Sequence, residues 1–224
     1  MASSIATKVS MLKSIIEKHP NASNISLLAN EEVLFWIYHD TSFLPEIKKK
    51  NKTKDTEEYK KLEDDWGRKT TKLRRPDLAL KKQWTTTFGQ HICEELCILQ
   101  GIDVTIPKKK QGMLPDRETG DAIIEVKTQT YYTGGTTGEK ILGCPFKYSE
   151  VPLLYNKPLK ILCIGGAEAI CRNNYGNLEG PELKGTKKTI LDFYKNTLNI
   201  EYVAATDILN EILVNERLAN LHLQ

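Results

Sequence analysis

The chain has 224 residues, of which 40% are hydrophobic and 27% are charged, and its net charge is +3. This composition is typical of a globular protein and excludes collagen-like and intrinsically disordered chains. No segment approaches the roughly 18 consecutive apolar residues of a membrane span, and "MASSIATKVSMLKSIIEKHP" alternates polar and apolar residues, unlike a signal peptide. We therefore expect a cytoplasmic protein without a membrane partner.

The cysteines and the basic residues are distributed unevenly. The five cysteines are scattered and contain no Cys-x-x-Cys pair, which predicts buried free thiols rather than disulfides or a zinc site. Between Lys48 and Lys82, 14 Lys and Arg stand against 7 Asp and Glu. Such a basic segment fits either a polyanionic partner or a solvated helix with mixed charges.

The first 86 residues have the pattern of a helical region. "KVSMLKSIIEKH" has apolar residues at helical spacing, and Asn30 before "EEVLFWIYHD" resembles an N-cap with acids in the first turn. The charged segment "DTEEYKKLEDDWGRK" is also typical of a helix. We expect residues 1–86 to be a helical region that is not an independent domain.

Residues 87–224 have the pattern of an α/β fold. The helix "FGQHICEELCILQG" precedes the extended pieces "IDVTIP", "GMLPD" and "DAIIEVKTQTYY". A helix follows, and then the apolar run "PLKILCIGG", which is typical of a strand buried on both faces. A helix, the strand "IEYVAA" and an amphipathic helix complete the chain. This order of helix, three strands, helix, strand, helix, strand and helix predicts an α/β sandwich.

The strand "DAIIEVKTQ" carries polar residues on one face. Because side chains alternate between the faces of a strand, one face receives a single set of residues: Ile123, Glu125, Lys127, Gln129 and Tyr131. The other face receives the alternate, mostly apolar positions near the start of the strand. A carboxylate, an ammonium and an amide are therefore predicted to stand in a row.

A tight hairpin upstream is predicted to add a second carboxylate. Gly120 can supply a positive φ to a turn in "LPDRETGDAII", which places Asp116 roughly opposite positions 123 to 125. Asp116, Glu125 and Lys127 would then cluster. Two close carboxylates require compensating positive charge, which Lys127 and a divalent cation can supply. An oxygen-rich site with few protein ligands suits Mg²⁺.

Helical spacing distinguishes two neighbouring acids in the preceding helix. Counted from Phe88, Glu95 falls within the apolar stripe and Glu94 falls on the opposite side. We therefore predict that Glu95 faces the sheet as a further catalytic acid near the metal. The alternative is that Glu95 satisfies a backbone or lysine partner.

"LPD" followed by "EVK", with Glu125 nine positions after Asp116, resembles the motif of the PD-(D/E)xK nuclease superfamily. The expected element order also resembles the α-β-β-β-α-β core of that superfamily. With Gln129 extending the motif, the chain is similar to a small type II restriction endonuclease. The resemblance covers about residues 87–170, whereas the N-terminal third resembles nothing that we can name.

The resemblance implies a set of site residues. Asp116 and Glu125 would bind Mg²⁺, with the backbone carbonyl of Val126 as an additional ligand. Lys127 would hold or help to deprotonate the attacking water. Gln129 completes the predicted catalytic set.

The resemblance also implies a function: site-specific, Mg²⁺-dependent hydrolysis of double-stranded DNA by a homodimer. Residues 87–224 would form the catalytic core, and residues 1–86 would serve DNA binding or dimerisation. A cognate DNA methyltransferase would be a genetic partner without forming a stable complex. Two alternatives stay open, a repair or recombination nuclease that acts on structured DNA and a non-catalytic DNA-binding protein.

Two loops supply candidate contacts to DNA phosphates. One lies between the first two strands, and the other is the Gly- and Thr-rich segment after the catalytic strand, whose backbone N–H groups can approach a phosphate. The candidates are Lys108, Lys109, Lys110, Thr136, Thr137 and Lys140. A solvated loop accounts equally well for the three consecutive lysines.

Overall fold

The computed structural model describes residues 4–46, 52–79, 83–133, 137–178 and 183–222. The chain divides into two compact units. Unit 1 comprises Met1–Ile102 and Ala205–Gln224, and unit 2 comprises Asp103–Ala204. Unit 1 is therefore built from two separate stretches of the sequence, whereas unit 2 is continuous.

The described residues form ten α-helices and five strands. In chain order they are α1 (Ile5–Lys18), α2 (Glu31–Ile37), α3 (Lys52–Arg74), α4 (Trp84–Leu99), β1 (Val104–Thr105), β2 (Arg117–Thr119), β3 (Ile123–Gln129), α5 (Thr137–Leu142), α6 (Cys144–Lys147), α7 (Val151–Tyr155), β4 (Leu159–Gly165), α8 (Gly166–Ile170), α9 (Thr186–Thr197), β5 (Ile200–Ala204) and α10 (Ala205–His222). The predicted α/β class is confirmed. None of these helices combines the length and hydropathy of a transmembrane segment.

Unit 1 is helical and has an aromatic core. Asn30 caps α2 as predicted, because its side-chain oxygen accepts a hydrogen bond from the N–H of Glu32 (3.0 Å). The rings of Trp36, Trp84 and Phe88 contact one another with centroids 5.0 to 6.3 Å apart. Phe88 meets both tryptophans edge-to-face, and such contacts stabilise a core beyond the area that they bury.

Unit 2 is built on a five-stranded mixed sheet with the order β1-β2-β3-β4-β5. β1, β2 and β3 are antiparallel neighbours, and β3, β4 and β5 run parallel. β3 therefore joins the antiparallel half of the sheet to the parallel half. The seven residues of β4 are all buried except Lys160, which confirms the prediction of a strand covered on both faces.

Helices α5, α6 and α7 cover one face of this sheet. Their buried residues Ile141, Cys144 and Val151 share a hydrophobic cluster with Ile123 of β3 and Ile161 of β4. This is the face on which the odd-numbered residues of β3 lie. The polar row of β3 is thus placed beneath helices rather than in open solvent.

The turn between β2 and β3 differs from the prediction. Gly120 does not have a positive φ, so the expectation of a glycine-dependent turn is wrong. The Thr119 hydroxyl closes the turn instead: it accepts a hydrogen bond from the N–H of Ala122 (3.0 Å) and lies 2.7 Å from Oδ1 of Asp121. Threonine hydroxyls stabilise turns by such local bonds and do not require a left-handed residue.

The predicted state of the cysteines is confirmed. Cys93, Cys97, Cys144, Cys163 and Cys171 are all free and buried. The sulfur atoms of Cys163 and Cys171 lie 3.6 Å apart, beyond disulfide bonding distance. These side chains therefore act as small apolar residues in the two cores.

We expect Gly166→Ala to destabilise the protein by about 1 to 3 kcal/mol. A Cβ atom at this position would lie 2.4 Å from the carbonyl oxygen of Thr130, and backbone cannot rotate away as a side chain can. Gly120→Ala is the matched control, since a Cβ there has nothing within 4 Å, and its effect should stay within about 0.5 kcal/mol. Urea denaturation measures both variants, and equal stability would contradict the close approach of α8 to β3.

Candidate active site

β3 presents the predicted polar row on the face that α5, α6 and α7 cover. Glu125 is 6% exposed and Gln129 is 4% exposed, whereas Lys127 is half-buried. Buried carboxylates are rare unless they are paired or bind a cation. The carboxylate of Glu125 therefore requires partners within the protein or a cation.

Asp116 reaches β3 just beyond the end of the β2–β3 ladder. The paired residues are Arg117 with Ile124 and Glu118 with Ile123. One residue further, Oδ2 of Asp116 accepts a hydrogen bond from the N–H of Val126 (2.8 Å). The structure thus brings Asp116 to β3, as the predicted hairpin requires.

The backbone carbonyl of Val126 faces the same edge of β3 as Asp116. In a β-strand the N–H and C=O groups of one residue point to the same side. Because the N–H of Val126 points to Asp116, its carbonyl oxygen is directed to that side as well. The predicted third ligand is therefore oriented towards the first one.

A single oxygen of Glu125 accepts two hydrogen bonds. Oε1 accepts one from Nζ of Lys127 (2.6 Å) and one from the hydroxyl of Tyr148 (3.0 Å). Nζ of Lys147 in turn donates to the Tyr148 hydroxyl (3.0 Å). The polar groups of β3 and α6 thus form one connected network.

The charges in this network affect each other's protonation. Burial raises the pKa of Glu125, repulsion from Asp116 raises it further, and Lys127 and Tyr148 compensate only in part. Burial disfavours the ammonium of Lys127, but attraction to Glu125 and Asp116 outweighs this effect and raises the pKa of Lys127. The negative charge of Asp116 thus raises both pKa values, that of Glu125 by repulsion and that of Lys127 by attraction.

The donor set of the site fits Mg²⁺. Within the described part of the chain, no three His, Cys, Asp or Glu side chains are grouped to hold a metal ion. The site offers two carboxylates, from Asp116 and Glu125, and the carbonyl of Val126. Mg²⁺ is commonly bound by one or two carboxylates and keeps several waters, whereas structural zinc requires four nitrogen or sulfur ligands.

Gln129 lies at the end of the same face. Its Nε2 donates to the carbonyl of Thr133 (3.4 Å). Its buried Oε1 has no hydrogen-bond partner among the residues that the structure describes. Buried amide oxygens normally accept a hydrogen bond. Oε1 of Gln129 is therefore an unused hydrogen-bond acceptor at the end of the polar row.

The candidate phosphate contacts have different surroundings. Lys108, Lys109, Lys110 and Lys140 are exposed. Nζ of Lys110 donates to the carbonyl of Leu154 (3.0 Å) and lies over the ring of Tyr155, so this lysine is anchored.

Two further phosphate candidates lie in the Gly- and Thr-rich loop. Thr136 lies outside the described residues. Thr137 begins α5, and only its backbone is described. The predicted role of these threonines stays a prediction.

Glu95 has a structural role in unit 1. Its Oε1 accepts hydrogen bonds from the N–H groups of Ser26 and Leu27 (3.0 Å each), and its Oε2 accepts one from the N–H of Leu28 (2.7 Å). Burial raises the pKa of Glu95, while these bonds act in the opposite direction. The alternative that Glu95 satisfies a backbone partner is confirmed, and we leave Glu95 out of the proposed catalytic set.

Sequence reasoning missed Tyr148 and Lys147. Both follow Pro145, and their segment shows no polar periodicity that would indicate a functional face. Burial raises the pKa of Tyr148 above its ordinary value, and repulsion from Glu125 adds to this effect, so the hydroxyl keeps its proton. No local pattern identifies Tyr148, because its contact with Glu125 is set by how α6 packs on the sheet.

No protein-family model, no curated protein and no solved structure matches this chain. Its function must therefore be inferred from the arrangement of its own residues. The arrangement that indicates a function is the contact of Asp116 with β3, where Glu125 and Lys127 lie.

We expect Glu95→Ala to destabilise the protein by about 3 kcal/mol, because it leaves the buried N–H groups of Leu27 and Leu28 without an acceptor. Glu94→Ala is the control on the same helix, since Glu94 is partly exposed and bonds His91. Its loss should stay below about 1 kcal/mol. Chemical denaturation gives both values, and similar losses would contradict the structural role of Glu95.

Proposed function

We propose that the protein is a Mg²⁺-dependent, site-specific endonuclease of the type II restriction class that hydrolyses phosphodiester bonds in double-stranded DNA. One observation carries the proposal. Two carboxylates, a backbone carbonyl and a lysine converge at the end of the β2–β3 ladder. The resemblance of "LPD…EVK" to the PD-(D/E)xK motif adds independent support, because it selects the same residues.

In this proposal Asp116, Glu125 and the carbonyl of Val126 hold Mg²⁺. Bound there, Mg²⁺ supplies Lewis-acid polarisation of the phosphodiester and lowers the pKa of an attacking water. The two neighbouring carboxylates support a cation site: burial raises the pKa of Glu125, and repulsion from Asp116 raises it further despite the neighbouring lysine. Added positive charge would relieve that repulsion.

Lys127 acts as a hydrogen-bond donor in the proposed reaction. Its raised pKa keeps it an ammonium, so it cannot accept a proton from water while it is paired with Glu125. It can orient the water through a hydrogen bond and stabilise negative charge that develops on the phosphate. Preorganised electrostatic stabilisation of this kind is usually the largest single contribution to catalysis.

The DNA would be held mainly by lysines. Lys108 and Lys109 are exposed beside the sheet, and Lys140 is exposed on α5, so all three can meet phosphates. A homodimer would place two such sites on the two strands of a palindrome. A methyltransferase that modifies the same sequence would protect the host DNA.

A digest of long unmethylated duplex DNA tests the proposed function directly. With Mg²⁺ we expect discrete, reproducible fragments, and none when the cation is chelated. Cleavage confined to junctions or ends would favour a repair or recombination nuclease instead. Tight, salt-sensitive binding without cleavage of any duplex would favour a non-catalytic DNA-binding protein.

We expect Asp116→Ala and Lys127→Ala each to lower the cleavage rate by at least about a hundredfold while DNA binding is retained. The matched control is Glu118→Ala on β2, where the carboxylate pairs with Lys157, two residues before β4. Its cleavage rate should stay within about twofold of the wild type. Cleavage rates and gel-shift affinities separate the two effects, and full activity of either variant would reject the role of that residue.

A further inference from the structure

Tyr148 contacts the proposed metal-binding carboxylate from the helical layer. It follows α6, is 6% exposed and belongs to the hydrophobic cluster that also contains Ile123 and Ile161. Its ring is therefore fixed by packing, while its hydroxyl lies 3.0 Å from Oε1 of Glu125. A fixed ring holds the hydroxyl in a defined position.

The neighbouring lysine determines the direction of the hydrogen bond. The ammonium of Lys147 can only donate, so the bond between its Nζ and the Tyr148 hydroxyl uses the phenol oxygen as the acceptor. The proton of the phenol is then available for Glu125. Lys147 and Tyr148 thus donate in sequence, and the second hydrogen bond ends on Oε1 of Glu125.

The two oxygens of Glu125 have different environments. Oε1 accepts from both Lys127 and Tyr148. Both of these hydrogen bonds end on Oε1, and neither uses Oε2. The two donors thus restrain Oε1 from two sides, whereas Oε2 takes no part in this network.

We propose that Tyr148 is a positioning residue that holds Oε1 of Glu125 and thereby presents Oε2 to the divalent cation. The inference rests on the proposed nuclease function of the same site. Tyr148 touches neither the substrate nor the cation and acts through Glu125. Without the phenolic donor, the carboxylate can rotate about its terminal bond, and a cation then has to order it on binding.

The test is Tyr148→Phe, which keeps the ring and removes only the hydroxyl. We expect the affinity for Mn²⁺, measured by electron paramagnetic resonance without DNA, to fall about tenfold, as is typical when a group that orients a ligand is lost. The Mg²⁺ concentration for half-maximal cleavage should rise by a similar factor. The cleavage rate at saturating Mg²⁺ and the affinity for DNA should change less than about threefold, because the ligands themselves remain.

Tyr155→Phe is the matched control. Tyr155 is also 6% exposed and lies in the same cluster, but its hydroxyl donates to the carbonyl of Lys108 (2.7 Å) and not to Glu125. We expect Tyr155→Phe to lose about as much stability as Tyr148→Phe in thermal unfolding, but to keep the Mn²⁺ affinity of the wild type. Equal Mn²⁺ affinities of Tyr148→Phe and the wild type would overturn the positioning role.

A second variant covers the case in which Tyr148→Phe does not fold. 4-Aminophenylalanine at position 148 keeps a donor on the same ring and should keep Mn²⁺ affinity within about threefold of the wild type, since the donor is conserved. An affinity as low as that expected for Tyr148→Phe would show that donation to Glu125 is not the cause. A wild-type protein that binds Mn²⁺ but cleaves no DNA would reject the nuclease proposal. The Mn²⁺ affinity of Tyr148→Phe relative to the wild type would still decide the positioning role.

Discussion

The hydrogen bond from the N–H of Val126 to Oδ2 of Asp116 determines the geometry of the candidate site. At this point a side chain takes the place of a backbone partner, because β2 pairs only with Ile123 and Ile124. The bond satisfies the N–H group of Val126 and at the same time fixes a carboxylate at the edge of the strand. The carboxylate of Glu125 therefore lies near the negative charge of Asp116.

This arrangement costs stability. Burying Glu125 beside Asp116 raises its pKa, so the free site holds a carboxylate that would be more stable when neutralised. A protein that needed only a folded core would place apolar residues there, as β4 does at Ile161 and Cys163. Perturbed groups of this kind cluster at functional sites, where the environment favours a charge that the protein itself does not supply.

Much of the sheet could be predicted, because its signals are local. The alternation in "DAIIEVKTQ" predicts both a strand and its polar face, and the apolar run of β4 predicts burial on both sides. The partners of Glu95 could not be predicted, since the nearest is 67 residues away in the sequence. Tyr148 lies 23 residues from Glu125, and only the packing of α6 brings them together. The prediction of a positive φ at Gly120 is wrong because the Thr119 hydroxyl can close the same turn by a local hydrogen bond.

The division of unit 1 into two stretches has a consequence for how the chain folds as it is synthesised. Helix α10 packs against α1 and α4 and contributes buried Leu209 and Leu213 to unit 1. On the ribosome, all of unit 2 has been translated before α10 emerges, so the inserted unit can close first. The earlier helices of unit 1 must meanwhile keep apolar surface exposed. The first stretch of unit 1, Met1–Ile102, therefore completes its core only when α10 is added.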